Sequence, residues 1–450
     1  MTQVLQDEAM NGSDAYRESF KPLESNGSHP AWLLPLRRKG LESFEQQGFP
    51  STREEDWRYT NVAPIAGRPF KPVLRTADDG AASSALDRSP FRNLSSTRLV
   101  FLDGHYSERL SSLGRLPAGV QVSNLAAALR DNPERIEKHL GRHAVLPNNP
   151  FAALNQAFFQ DGAFIHVPAG ITADDPIQLV FIASGKQSGA SIHPRNLILA
   201  GARSKVSVIE TYLGAARTEY LTNAVTEIVA GDQSQVELIK FQDESMDAFH
   251  IATLQGEFSR GSNVSVHSFA LGARLSRNNI RARLAGEGLE CILNGLYITR
   301  DEQLADHHMI VEHVEAHCAS HEYFNGILDD KSRGVFHGRI FVHQLAQKTD
   351  AKQTNKNLLL SDDATVNTKP QLEIYADDVK CTHGATVGQL DEEAIYYLRS
   401  RGLGLETARR MLIHAFAGEI IERVRSEPVR EELDRIIWDR LEANPHLEQK

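Results

Sequence analysis

Apolar positions recur along this chain with two different periods, and the change from one to the other divides it. Trp32, Leu33, Leu36, Leu41 and Phe44 follow helical spacing, with Gly48 placed to end the helix. The following segment STREEDWRYT, Ser51 to Thr60, puts acids where the positive end of a helix dipole would favour them, and its Trp57 and Tyr59 read as packing anchors. Residues 70–98, rich in Ser, Asp and Ala, read as loop. Arg98 to Leu102 reads as a short strand closed by the turn pair Asp103-Gly104, and helical spacing returns over Leu125 to Leu140 and Phe151 to Phe159.

At Gly162 the period drops to two and stays there for about two hundred residues. Within that stretch Ala200-Gly201, Ala230-Gly231 and Ala285-Gly286 recur, with Arg260-Gly261 in the matching place, so the glycines stand thirty, thirty and twenty-five residues apart. Each is followed by alternating apolar residues: Val206 and Val208, Val236 and Leu238, Val264 and Val266, then Leu289, Cys291 and Leu293. A strand, glycine turn and strand repeated without an intervening helix suggests stacked coils or a meandering sandwich. Stacked coils explain why each strand carries one short apolar set, because each coil buries its inner face against its neighbours and only the ends need caps. The helical segments on either side are placed to be those caps. After Gly404, residues Ala408, Met411, Leu412, Ala415, Phe416 and Ile420 form an apolar stripe, and Pro428 opens a second helix carrying Leu433, Ile436, Ile437 and Leu441. The pair either closes the solenoid or offers a ridge to a partner.

Composition narrows the classes. At 450 residues and 41% hydrophobic content the chain can bury a large core. The division expected is a disordered tail over 1–29, a helical domain over 30–160, a β-helix core over 161–388 and a second helical domain over 389–450. The tail is polar and acidic, unlike a secretory or transit peptide, and no membrane span is visible. A formal net charge of -10 argues against a nucleic-acid partner. Cys291, Cys318 and Cys381 are too few and too dispersed for a disulfide framework, which points to the cytoplasm.

Two stretches carry candidate chemistry. In PQLEIYADDVKCTHGATVG, Pro370 to Gly388, Cys381 and His383 lie two apart on a strand, on one face with Cα atoms ~7 Å apart, as two metal ligands or a thiolate beside a base. The alternatives are a buried thiol with a hydrogen-bonded imidazole, a nucleophile and base, or a lyase groove with Asp377 and Asp378. Adjacent strand residues point to opposite faces, which weakens a joint role for those two acids. The second stretch, Asp306 to His321, holds His307, His308, His313, His317, Cys318 and His321. His313, His317 and His321 would line one helix face, or with His307 share strand parity, so either form allows a metal site, although the spacing is not HExxH.

The segments ALNQAFFQDGAFIHVPAG (Ala153 to Gly170), AQKTDAKQTNKNLLLS (Ala346 to Ser361), KPQLEIYADDVKCTHGATVGQLDEEAIYYLRSRG (Lys369 to Gly402) and STREEDWRYT closely resemble the SufB/SufD family of iron-sulfur cluster assembly scaffolds. The resemblance runs from about residue 30 to the end of the chain. It lies on the SufD side, because KCTHGAT has Gly384 where SufB proteins usually carry a glutamate, and because the clustered N-terminal cysteines of many SufB proteins are missing. It implies a mainly β protein, a right-handed parallel β-helix flanked by N-terminal and C-terminal helical domains. It further implies a non-catalytic subunit that pairs with SufB and docks the SufC ATPase, with a homodimer as an option for the isolated subunit. By that resemblance Cys381 and His383 form part of a transient iron-sulfur cluster site shared with SufB, and the helices bearing Met411, Leu412 and Phe416 meet SufC. Flavin in such a complex finds no support in the residues. The chain has no GxxxxGK[ST] loop, so ATP use would belong to the partner.

Overall fold

The structure is a computed structural model that describes residues 15–24, 30–68, 70–74, 80–94, 96–143 and 147–442. Its centre is a parallel β-solenoid in which successive strands alternate between two facing sheets. One sheet ends with Leu304–His313, Arg333–Val342 and Thr365–Ile374, and the other with Ala319–Leu328, Asp350–Leu359 and Lys380–Gly388. The period-two alternation becomes a set of ladders, because each inward residue stacks on its counterpart one coil away. Val206, Val236, Val264 and Cys291 form one such column, which continues through Ser320 and Ala351 to Cys381. The column beside it runs Val208, Leu238, Val266, Leu293, Glu322, Gln353, His383. The second column is apolar over the early coils and turns polar towards the C-terminal end, whereas the first keeps small residues there, Ser320, Ala351 and Cys381.

The turn glycines divide into two kinds. Gly201, Gly231 and Gly286 sit where coils touch: a Cβ on Gly286 would lie 2.1 Å from the backbone nitrogen of Arg260. Gly261 is not their equivalent. Ser262 N bonds Ser259 O as Ser204 N bonds Gly201 O and Ser234 N bonds Gly231 O, so Ser259 holds the matching place. Gly261, with φ 63°, occupies the left-handed position that Arg203 and Gln233 fill in earlier coils. The repeat is therefore real but shifted by two residues at that coil.

The N-terminal region is less helical than expected. Thr97–Leu102 and Gln121–Asn124 are strands that join the two sheets and, with His105–Tyr106, close the N-terminal end of the solenoid. The turn at Asp103-Gly104 has positive φ at both residues. The segment 70–98 contains a helix, Gly80–Asp87, and the run from Leu125 splits into Leu125–Asp131 and Pro133–Glu137 at Pro133. The helix-opening look of Ser51 to Thr60 yields only the single turn Glu55–Trp57. Residues 15–24, expected to belong to a disordered tail, are helical and bury Tyr16, Phe20 and Leu23 against Phe44 and Phe158. The rest of that tail, residues 1–14 and 25–29, lies outside the described residues.

Helices cover the outer faces. Leu33–Gln47 and Pro150–Phe158 pack together on the first sheet, where Phe151 and Trp57 meet Leu221, Phe249 and Ile251. The C-terminal helices Leu405–Ile421 and Glu427–Glu442 lie along the outer face of the second sheet, burying Ile413, Ala417, Ile420, Leu433 and Ile437 against Phe241, Phe269, Leu296 and Ile327. They do not cap the end of the solenoid as expected. The buried face only partly coincides with the predicted stripe: Ala408 and Ile420 are buried, but Met411 and Ala415 are exposed, and Leu412 and Phe416 are half-buried. Docking onto the sheet selects the Ile413 and Ala417 face, which helical spacing alone does not rank above its neighbour. No helix among the described residues is long and apolar enough to cross a membrane.

Candidate functional site

With the helices on the flanks, the C-terminal end of the solenoid is bare. Thr365–Ile374 and Lys380–Gly388 are the last strands of their sheets, each paired on one side only. Almost every residue of Lys380–Gly388 is exposed, although the strand is regular and fully registered with Asp350–Leu359. Among the described residues, five of the nine exposed large hydrophobics fall between 374 and 397: Ile374, Tyr375, Val387, Tyr396 and Tyr397. That concentration separates this end from the rest of the surface, where such residues stand singly.

Cys381 and His383 are both on this last strand and, by register, both at inward positions. Cys381 stacks on buried Ala351 and is half-buried against the cluster of Ile340, Val342 and Ala376, whereas His383 is exposed at the mouth of the lumen. Burial, with help from the Asp350 carboxylate, pushes the Cys381 thiol above its ordinary range. Behind His383 in the same column, Gln353 Nε2 donates to Glu322 Oε2 at 2.6 Å. Burial raises the Glu322 carboxyl to about 7. This inward polar file was not anticipated. Its sequence signal is the replacement of Val or Leu by Glu322, Gln353 and His383 at matching places of successive repeats.

The histidine-rich run does not converge on one site. It covers most of one strand, a turn and the start of the next, so no helix face exists and only His307 and His313 share a strand face. His307 points into the lumen between the rings of Tyr297 and Phe324. His313 is also buried, its Nε2 2.8 Å from Ser320 Oγ. His317 sits exposed in the turn with φ 58°, Cys318 donates to Gly286 O, and His321 is on the following strand. His308 points the other way, outward, beneath the segment that carries Trp57. Trp57 is an anchor as expected, 4% exposed and tilted against Phe151, with the Arg277 guanidinium 3.7 Å above its ring, whereas Tyr59, expected to be one too, is exposed. Asp377 and Asp378 lie exposed in a turn, Asp378 paired with Lys348, so they line no groove.

Two family descriptions match nearly the whole chain: "SufBD protein N-terminal region" over residues 11–179 and "SUF system FeS cluster assembly, SufBD core domain" over residues 181–416. The chain is 34% identical to an iron-sulfur cluster assembly SufBD family protein of Synechocystis over 89% of each chain. It is 31% identical to the iron-sulfur cluster assembly protein SufD of Escherichia coli, over 96% of this chain and 98% of that one. The SufD protein of Bacillus subtilis is 25% identical, over 94% and 97%.

Proposed function

The chain belongs to the SufBD family of iron-sulfur cluster assembly proteins, and we propose on that premise that it is a non-catalytic scaffold subunit of the SufD kind, whose bare solenoid end pairs with a SufB-type partner to form a shared cluster-assembly site. The observation that carries this reading is the coincidence of three features on one strand: an unpaired sheet edge, a surround of exposed apolar residues, and an inward-facing thiol and imidazole.

An edge strand offers a row of unmet backbone donors and acceptors, and here both sheets offer one at the same end. Strands from a partner would continue both sheets at ~4.8 Å spacing and carry the lumen across the junction. Cys381 and His383 would then be enclosed between two chains. Iron within a cluster prefers about four ligands, thiolates first and imidazole as a substitute. This strand supplies two, so a partner residue or sulfide must complete the set. A cluster held partly by each chain is one that separation of the chains can release.

The two residues differ in readiness. The Cys381 thiol must lose a proton against its raised pKa before it binds iron, whereas neutral imidazole needs no such step. His383 is therefore the iron-accepting residue and Cys381 the supporting ligand. The C-terminal helices supply the surface for a SufC-type ATPase, with Met411 exposed and Leu412 and Phe416 half-buried beside it.

The test is iron and sulfide content of the anaerobically purified complex. With His383→Ala the complex should assemble but hold much less of both, and Cys381→Ser should have a smaller effect. Wild-type cluster content in the His383→Ala complex would sink the assignment.

A further inference from the structure

Among the described residues, one group of three potential metal ligands comes together, and it lies away from the Cys381 strand. Asp56 descends from the short 3₁₀ turn Glu55–Trp57 onto the outer face of the first sheet. There it meets His308 and His337, which are in register on neighbouring strands. The ligand atoms of all three lie within 4.8 Å of one another. The two imidazole rings are edge to face with centroids 4.4 Å apart.

Three observations show that these side chains are not simply satisfied by one another. His308 is 6% exposed, and its Nε2 is buried, forms no hydrogen bond and stands 3.3 Å from Asp56 Oδ1. His337 donates from Nε2 to Gln371 Oε1 at 2.8 Å, which fixes the tautomer and leaves Nδ1 with its lone pair. Asp56 and His308, though not His337, line a cavity of about 200 Å³ together with Trp57, Asn148, Arg277 and Arg339.

The cations around this cavity do not make it an anion site. Arg277 is paired with Asp306 at 2.5 Å, Arg281 with Glu312 at 3.1 Å, Arg339 with Glu373 at 3.4 Å, and Lys369 with Glu55. Asp56 keeps only looser contacts, His308 Nε2 at 3.3 Å and Arg339. Arg339 approaches it to only 3.7 Å and already holds Glu373 as a second partner. A metal at ~2.1 Å from each of two atoms 3.3 Å apart would subtend roughly 100°, an ordinary angle for a first-row ion.

We propose that Asp56, His308 and His337 form a binding site for a single divalent first-row transition-metal ion of the iron(II) or zinc(II) class. Two imidazoles and one carboxylate on one face suit these ions and leave positions open towards the cavity. Arg339 is a counter-charge to Asp56 and turns fully to Glu373 when the ion enters. The proposal is independent of the Cys381 and His383 reading.

The experiment uses the full chain, stripped with a chelator and titrated with Zn²⁺ against a chromophoric competitor, with the folded state checked by circular dichroism. One equivalent should bind. Asp56→Asn and His308→Gln should each weaken binding by at least ~10-fold. Arg339→Gln should tighten it, because it removes the competing cation while leaving every ligand in place. His383→Ala should leave this affinity unchanged, which separates the site from the cluster site. Absence of binding, or affinity that is unaltered in both ligand variants, overturns the proposal.

Discussion

Replacing Glu322 with Gln should abolish a specific pH dependence of stability. Glu322 is wholly buried on an inward position of Ala319–Leu328, between Leu293 and Gln353 in its column. Oε2 accepts from Gln353 Nε2, and Oε1 has no partner, so burial outweighs that bond and lifts the carboxyl to about 7. In the unfolded chain the same group titrates near ~4.3. Between those values the folded chain keeps a proton that the unfolded chain has released, so stability falls as pH rises through the window and levels off above about 7. The full shift is worth about 4 kcal/mol at 1.36 kcal/mol per unit, of which about 3 kcal/mol is lost between pH 4.5 and pH 8. Gln is nearly isosteric, accepts from Gln353 through its own Oε1 and never ionises. Glu322→Gln should therefore match the parent at pH 4.5 and exceed it by about 3 kcal/mol at pH 8, in urea unfolding followed at both values. The comparison of variant with parent cancels groups common to both. A difference that stays flat with pH, or a variant less favoured at pH 8 than at pH 4.5, would refute the reasoning.

Gly286→Ala should prevent folding or cost several kcal/mol (roughly 3 or more, by overpacking) because its Cβ would lie 2.1 Å from Arg260 N, whereas Gly384→Ala, with open space at that position, should leave thermal unfolding unchanged. A cysteine in place of exposed Thr386 should crosslink efficiently to a SufB-type partner in the assembled complex; crosslinks formed only by a cysteine in place of Arg203, on the turn after Gly201, would place the junction at the other end.

The solenoid was readable because its cause is local: alternation along each strand and a turn every thirty residues or so are both written in the chain. The alignment of coils was less so. Gly201 and Gly261 look alike in sequence, yet one permits close approach and the other supplies positive φ, and only the hydrogen bonds of the turn distinguish them. The C-terminal helices were placed in sequence but not in orientation, since Met411 and Ile413 are equally apolar and the sheet decides which is buried. Tyr16, Phe20 and Leu23 did carry helical spacing, but within a segment whose polar composition masked it. The Asp56, His308 and His337 cluster had no sequence signature. Two of its members are brought together by strand register and the third by the fold of a segment some 250 residues earlier, and no periodicity reports such a meeting.

The position of Cys381 and His383 shows where a local motif and the global fold agree. A solenoid exposes its core at each end unless something covers it. This chain closes one end with strands from its own N-terminal region and spends its C-terminal helices on a flank, although those helices follow the last coil directly and are within reach of it. Over the last three coils, ending at the uncovered one, one inward column changes from Val and Leu to Glu322, Gln353 and His383. An interior that turns polar towards an open edge is a poor terminus for an isolated chain, since it leaves both backbone edges and a lumen exposed. It is a suitable half of a junction, because a second solenoid end would satisfy the edges and enclose the thiol and imidazole together. On the proposed reading the stability lost at this end in the free subunit would be recovered on pairing, and assembly of the chains and formation of the site would be one event.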